Sequence, residues 1–219
     1  PLTSGNHDEG APTWSSDGRY IAFLSNRASE PDRTDTSGIY VMEATPTSKA
    51  RLLGTYYVGQ ESGALTWSPD GKWLAAAVGD SGGPSKFGAY QMHRLALFPV
   101  QGGPPKILTH KLDRPIRGPL LWTPDGSQII FTVLDDRTNW IGSVAPGGGK
   151  ISALTSGRNV SKSPSLAKDG SIAFLSGDSL HPLEVNFLEN RSLHKVTQQN
   201  DEWLGNVNLG LTEDFSCTS

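Results

Sequence analysis

The most reactive-looking feature of the chain is a serine set among glycines. Gly79-Asp80-Ser81-Gly82-Gly83-Pro84 satisfies Gly-x-Ser-x-Gly, the spacing with which a strand-turn-helix elbow exposes a nucleophilic hydroxyl. A working serine needs a base in reach, and the elbow needs a helix after it. Here Pro84 follows, and then Gln91 to Phe98, which reads as a strand. Where His and Asp precede the serine instead, a catalytic His must lie upstream. The one upstream histidine is His7, without the neighbours such a residue keeps. The segment therefore reads as a flexible Gly/Ser loop, and no catalytic residue is assigned in the chain.

Other candidate chemistry fails on spacing. Glu30-Pro31-Asp32-Arg33-Thr34-Asp35 gathers acidic side chains, but a calcium loop needs acids at alternate positions, then Gly and a distal Glu. A solvated loop with Arg33 paired locally is expected. His7, His93, His110, His181 and His194 show neither His-x-x-x-His nor Cys/His ligand spacing. No metal and no cofactor are expected. Net charge is -3 and the 19 basic residues are scattered, which argues against a nucleic-acid or membrane-surface partner. Cys217 stands alone, so no internal disulfide forms, in keeping with a reducing compartment. No apolar run approaches the roughly 18 residues of a membrane span. The chain begins at Pro1 rather than Met, and its true N-terminus is expected upstream. A cytoplasmic location is the expectation.

The elements that would hold any site follow from an internal repeat. Trp14-Ser15-Ser16-Asp17-Gly18 precedes the run Tyr20-Ile21-Ala22-Phe23-Leu24, and Trp67-Ser68-Pro69-Asp70-Gly71 precedes Trp73 to Val78. Trp122-Thr123-Pro124-Asp125-Gly126 precedes Ile129 to Val133, and a degenerate copy, Leu166-Ala167-Lys168-Asp169-Gly170, precedes Ile172 to Leu175. The copies are 53, 55 and 44 residues apart. Pro presets φ early in a turn, Asp supports it through its side chain, and Gly takes the left-handed conformation. The unit is thus a tight hairpin turn, with the Trp filling the wedge between neighbouring sheets. The following run lacks clean alternation, as expected of a strand buried on both faces.

Each period has a middle strand candidate: Ile39 to Met42, Arg94 to Phe98, Trp140 to Val144, and Leu183 to Phe187. It ends on a recurring outer element: Arg51 to Gly54, Lys106 to Thr109, Ala153 to Gly157, and Lys195 to Thr197. Four short strands per period specify an all-β fold, a β-propeller of about four four-stranded blades forming an arc of a larger propeller. The blades are expected at 6–55, 56–110, 111–157 and 158–200, with 1–5 as the last strand of a preceding blade. Residues 201–219 form a tail. An orphan strand in front argues against a complete four-bladed ring.

The Trp-Ser-Pro-Asp-Gly repeat resembles the blades of TolB-like propellers and of the prolyl oligopeptidase family of serine peptidases. In the first unit, Asn6-His7-Asp8, Pro12-Thr13-Trp14, Ile21 to Arg27 and Glu30 to Asp35 resemble the acylaminoacyl-peptidase branch more than TolB. Asn200-Asp201-Glu202-Trp203-Leu204 and Leu211 to Ser216 resemble the join between such a propeller and its α/β-hydrolase domain. The resemblance covers essentially the whole chain. It implies a non-catalytic propeller segment that gates short peptides toward a hydrolase domain beyond Ser219, where the triad would lie. The paired-Glu motif of the dipeptidyl peptidase IV branch has no match, since Glu202 beside Asp201 lacks its context. Trp203, outside the repeat register, is the candidate for packing against that domain. Implied partners are the chain's own further blades, the hydrolase domain and a short peptide substrate of the parent. The alternative is a TolB-like or WD-like module that recruits a protein partner. A third reading has two copies closing an eight-bladed ring.

Overall fold

The computed structural model describes residues 2–58, 65–79 and 92–210, together with 212, 213, 215 and 217. The strands fall into consecutive antiparallel sets. The first holds β1 (Glu9–Trp14), β2 (Tyr20–Ser25), β3 (Thr36–Glu43) and β4 (Arg51–Tyr57). The second holds β5 (Thr66–Trp67), β6 (Trp73–Val78), β7 (Arg94–Pro99) and β8 (Lys106–Ile107). The third holds β9 (Ile116–Trp122), β10 (Ile129–Asp135), β11 (Thr138–Val144) and β12 (Ser152–Ala153). The fourth holds β13 (Val160–Leu166), β14 (Ile172–Gly177), β15 (Glu184–Glu189) and β16 (Ser192–Lys195). A single parallel bridge, Asn139 to Val160, stitches the third set to the fourth. The first strands β1, β5, β9 and β13 are neighbours in sequence order, and no sheet closes into a barrel among the described residues.

The apolar runs are continuous because both faces of an inner sheet are covered. In β6, Leu74, Ala76 and Val78 pack on Ala22, Ile39 and Val41 of the first set. The alternate residues Ala75 and Ala77 join Leu95 and Leu97 against Ile129, Phe131 and Val133 of the third. From there Ile130 and Ile141 meet Ile172 and Phe174 of the fourth. Strand alternation is therefore intact, with apolar side chains in both phases. Each sheet turns one phase to its predecessor and the other to its successor.

Trp67 pairs across the hairpin with Leu74 on the predecessor face. It is 6% exposed, and its Nε1 donates to the Thr13 carbonyl of the first set at 3.1 Å. Trp122 packs the same way against the second set. Trp14 holds the equivalent place opposite Ile21 yet is 58% exposed. The wedge expected of all three tryptophans is realised only where a sheet precedes, and none stands before the first set among the described residues.

The hairpin turns are locked by a relay centred on a hydroxyl. Ser15 Oγ donates to Asp17 Oδ1 at 2.7 Å and accepts from the Tyr20 amide at 2.9 Å. Ser68 repeats this with Asp70 at 2.6 Å and the Trp73 amide at 2.9 Å. Thr123 does so with Asp125 at 2.6 Å and the Gln128 amide at 2.9 Å. Gly18, Gly71 and Gly126 follow at φ 69, 69 and 71, where any side chain is strained. In the fourth turn Ala167 carries no hydroxyl. Asp169 bonds Ser171 instead, and the closing pair spans Ala167 to Ser171, one residue shorter.

The recurring Leu-Thr element has a second device. Thr109 Oγ1 accepts from the Leu95 amide at 3.0 Å, Thr155 Oγ1 from Ile141 at 2.9 Å, and Thr197 Oγ1 from Val185 at 2.9 Å. The hydroxyl takes over the strand ladder where the outer strand turns away. In the first set Gly54 lies opposite Ile39 instead, and the ladder of β4 continues to Tyr57, past the expected boundary at 55.

Some expectations are altered. Residues 2–8 form no strand, so the outer strand expected at 1–5 is not seen in its described part. The strand read from Gln91 begins at Arg94. Three first strands carry a register shift, at Gly10/Thr13, at Arg117/Leu121 opposite Ile130/Thr132, and at Lys162/Ser165. Each lies beside a proline (Pro12, Pro119, Pro164) that cannot donate to the ladder. All but Gly79 of the Gly79–Pro84 motif lies outside the described residues.

Candidate functional site

Antiparallel order sorts the connections onto two rims. The relay turns and the β3–β4 type turns lie on one. The second-to-third-strand loops, the links between sets and the C-terminal tail gather on the other. The loop rim has room for variation, because its second-to-third-strand loops share no common turn among the described residues. The 26–35 loop carries a short 3-10 turn, Pro31–Arg33. Asn26 Nδ2 holds the carbonyls of Pro31 and Thr34 at 3.0 and 3.3 Å. Arg33 pairs with Glu30 at 3.4 Å, so the acidic loop is locally compensated.

A cleft of about 540 Å³ opens on this rim between the third and fourth sets. Its lining includes Asp135, Asp136, Arg137, Arg158, Asp178 and Thr212 of the tail. Asp135 accepts from Arg114 Nε at 2.6 Å and from Trp140 Nε1 at 3.3 Å. The Arg114 hydrogen bond holds its carboxyl below the usual range. Asp178 accepts from the Leu180 and His181 amides at 2.8 Å and from His181 Nδ1 at 2.9 Å. Burial pushes the Asp178 carboxyl up, but these hydrogen bonds outweigh it and the net shift is downward. Asp178 thus orients an imidazole whose Nε2 is free to act, half of a nucleophile-base-orienter array. Ser179 makes no hydrogen bond to that ring among the described residues, so the array lacks its nucleophile there.

The tail is fastened to the same rim. Glu184, buried at the start of β15, accepts from Asn200 Nδ2 at 2.9 Å and the Asn200 amide at 3.2 Å, and also from Thr197 Oγ1. The Thr197 contact leads in holding its carboxyl low. Lys195 Nζ pairs with Asp201 at 2.6 Å, at the start of α1 (Asp201–Leu204). Trp203 is 59% exposed on that turn.

The repeat residues Trp14, Asp17, Gly18, Trp67, Asp70, Gly71, Trp122, Asp125, Gly126, Asp169 and Gly170 lie on the turn rim or the strands leading to it. They are not near Trp203. Arg94, which donates to the carbonyls of Thr109, His110 and Leu112 at 3.2, 3.2 and 3.3 Å, escaped the sequence reading, as did Glu184. Both occupy one register, just before the strand residue capped by the Leu-Thr hydroxyl. Aligning the repeats on that Thr would have exposed them. Among the described residues no cluster of three His, Cys, Asp or Glu side chains could hold a metal ion, and no helix is long and apolar enough to cross a membrane.

No family model matches the chain. It is 30% identical over 162 residues to the uncharacterized peptidase YuxL of Bacillus subtilis, a match covering 60% of this chain and 23% of that protein. Acylaminoacyl peptidase from Pyrococcus horikoshii superposes with a TM-score of 0.66 at 13% identity, over 94% of this chain and 29% of that one. TolB from Acinetobacter baumannii superposes with a TM-score of 0.60 at 20% identity, over 90% of this chain and 45% of that one. The chain therefore spans less than half the length of each protein it is matched with here. The structural likenesses are of fold, and the fold is that of propeller portions found in peptidases and in TolB.

Proposed function

We propose that the four sets are blades in an open arc of a larger β-propeller, and that this propeller is the non-catalytic part of a serine peptidase acting on short peptides. The observation that carries the reading is Trp14, 58% exposed on the face of the first sheet that has no predecessor among the described residues. Trp14, Ile21 and Met42 there stand in register with Trp67, Leu74 and Phe98, which in the second sheet pack on a predecessor. That face is built for a further sheet. The peptidase half of the reading is supported by the match to YuxL. It is also supported by the latch of Glu184 and Lys195, which sets the tail and Trp203 on the loop rim. A hydrolase domain joined there would receive substrate through the propeller, and the propeller would turn folded proteins away.

The experiment is to assay the full-length parent on acylated and free short peptides, with and without a serine-reactive organophosphate. Hydrolysis abolished by that reagent is expected. A parent that has no hydrolase sequence after residue 219, or that cleaves nothing, sinks the peptidase reading. The likeness to TolB favours a second reading, a module that recruits a protein over the propeller face. An inactive parent that retains a protein partner would support it. Two copies of the chain joining first face to last face would also complete a ring, and light scattering would then give a dimer mass.

A further inference from the structure

On the outer flank, beside the β11–β12 turn and away from the loop-rim cleft, the second and third sets enclose a cleft of about 670 Å³. This is within the roughly 300–1,000 Å³ usual for small-molecule sites. One wall is the outer strand of the second set and the residues after it, with Lys106, His110 and Lys111. The other wall is the β11–β12 turn, Gly147-Gly148-Gly149-Lys150. The floor is apolar: Leu108 is buried, and Leu112 and Ile151 pack on the core beneath it.

Its charge sets this cleft apart. Arg19, Arg27, Arg33, Lys72, Arg114 and Lys195 each sit on a carboxylate. Lys49, Lys162, Lys168 and Arg191 lack such a pair among the described residues, but they are exposed and scattered along the chain. Lys106, Lys111 and Lys150 have no carboxylate within ion-pair distance among the described residues, and no acidic side chain lines the cleft. Lys106 Nζ is held 4.6 Å from the centre of the Trp73 ring, which fixes its position without neutralising it. His110 Nδ1 lies 3.0 Å from the Ile107 carbonyl. That contact makes Nδ1 the donor and leaves Nε2 free. Gly148 and Gly149 have φ of 86 and 112, so the turn comes to the cleft as bare backbone, with open space where a Cβ at Gly149 would stand. Lys106 on the edge strand β8 would alone be explained by the need to keep an edge from pairing. That need does not account for Lys111, for Lys150 on the facing turn, or for the apolar floor between them.

We propose that this cleft binds an organic phosphate, its multiply charged head among Lys106, Lys111 and Lys150 and its apolar body on Leu108, Leu112 and Ile151. Three unpaired ammonium groups match a phosphate dianion better than a lone carboxylate. The site is independent of the peptidase reading. The test is calorimetric titration of the protein with phenyl phosphate and with inorganic phosphate at low salt. Phenyl phosphate should bind saturably and more tightly than inorganic phosphate. Lys111→Ala/Lys150→Ala should weaken it at least tenfold. Lys49→Ala/Lys168→Ala, at exposed lysines away from the cleft, should leave it unchanged. Lys111→Glu/Lys150→Glu should abolish binding while the urea midpoint stays in place. No saturable heat, equal binding of the two probes, or an equal loss in the Lys49/Lys168 control would overturn the proposal.

Discussion

Replacing one tryptophan at a time tests the packing rule on which the propeller reading depends. In Trp67→Phe the sheet-to-sheet bond from Nε1 to the Thr13 carbonyl, 3.1 Å long, is lost, along with part of a side chain buried against the first sheet. A net hydrogen bond contributes about 1 kcal/mol, and truncation inside a packed interface adds about as much, so a loss of roughly 1–3 kcal/mol is expected. Trp14 occupies the same register but is 58% exposed, and Trp14→Phe should stay within about 0.5 kcal/mol. Urea unfolding of the 219-residue chain, followed by far-ultraviolet circular dichroism, gives both values. Stacked sheets of this kind need not unfold in one step, so the transition assigned to the first two sets is the one to compare. In a longer parent with a sheet seated on Trp14, the cost of Trp14→Phe should rise into the range of Trp67→Phe. Equal costs in the 219-residue chain would refute the wedge, and an unchanged, negligible Trp14 cost in the parent would refute the covered face.

Thr109→Val keeps the side-chain shape but strands the buried Leu95 amide; it should cost about 1–3 kcal/mol, read from the urea midpoint. The carboxyls of Asp17 and Asp125 are held down to about 2, chiefly by the Ser15 and Thr123 hydroxyls, against about 3.9 in an unfolded chain. Their folded pKa values are depressed, so the stability they add is full above about pH 4 and fades as pH falls toward about 2. Asp17→Asn/Asp125→Asn should flatten that acid limb of a urea-midpoint-against-pH curve, and an unchanged limb would contradict the relay. Glu184→Ala should free residues 197–201 and speed chymotryptic cleavage after Trp203 several-fold, while the protection of β13 to β15 against hydrogen exchange stays in place.

What the sequence made legible was local. Asp-Gly with a Trp ahead of it names a turn because the turn is closed by residues within five positions of one another. The hydroxyls of Ser15, Ser68 and Thr123 were equally visible, and the Trp-to-Asp spacing already held them. Their role as the hub of the relay emerges only when the amide five residues later is seen to point back at them. Pro12, Pro119 and Pro164 each remove a ladder donor at the register shifts of the first strands, a signal the sequence held but the repeat pattern did not draw out. The loop rim was not legible. Arg114 meets Asp135 across 21 positions, and Glu184 meets Asn200 across 16. Such pairs exist only because the meander returns its loops and links to one end. Trp14 was misjudged for a related reason, as its burial depends on a neighbouring sheet rather than on its own.

The division between the rims bears on function. At one rim three turns share a single hydrogen-bonded plan, and substitution there is limited by φ near +70 at Gly18, Gly71 and Gly126 and by the hydroxyl between Trp and Asp. At the other rim each connection differs in length and charge. The interfaces between sheets are directional too. Each offers Trp or Leu with Ile, Leu or Phe to its predecessor, and a separate phase to its successor. A directional, head-to-tail contact is not satisfied by pairing like faces; it extends until a rotation closes it. The first sheet's Trp14 face and the fourth sheet's Ala173, Leu175, Val185 and Phe187 face are the two unlike halves of such a contact. On the proposed reading, more sheets or a second copy would cover both faces. If the proposed peptidase reading holds, the loop rim, where the tail also lies, is the surface on which a hydrolase domain and its substrate would meet.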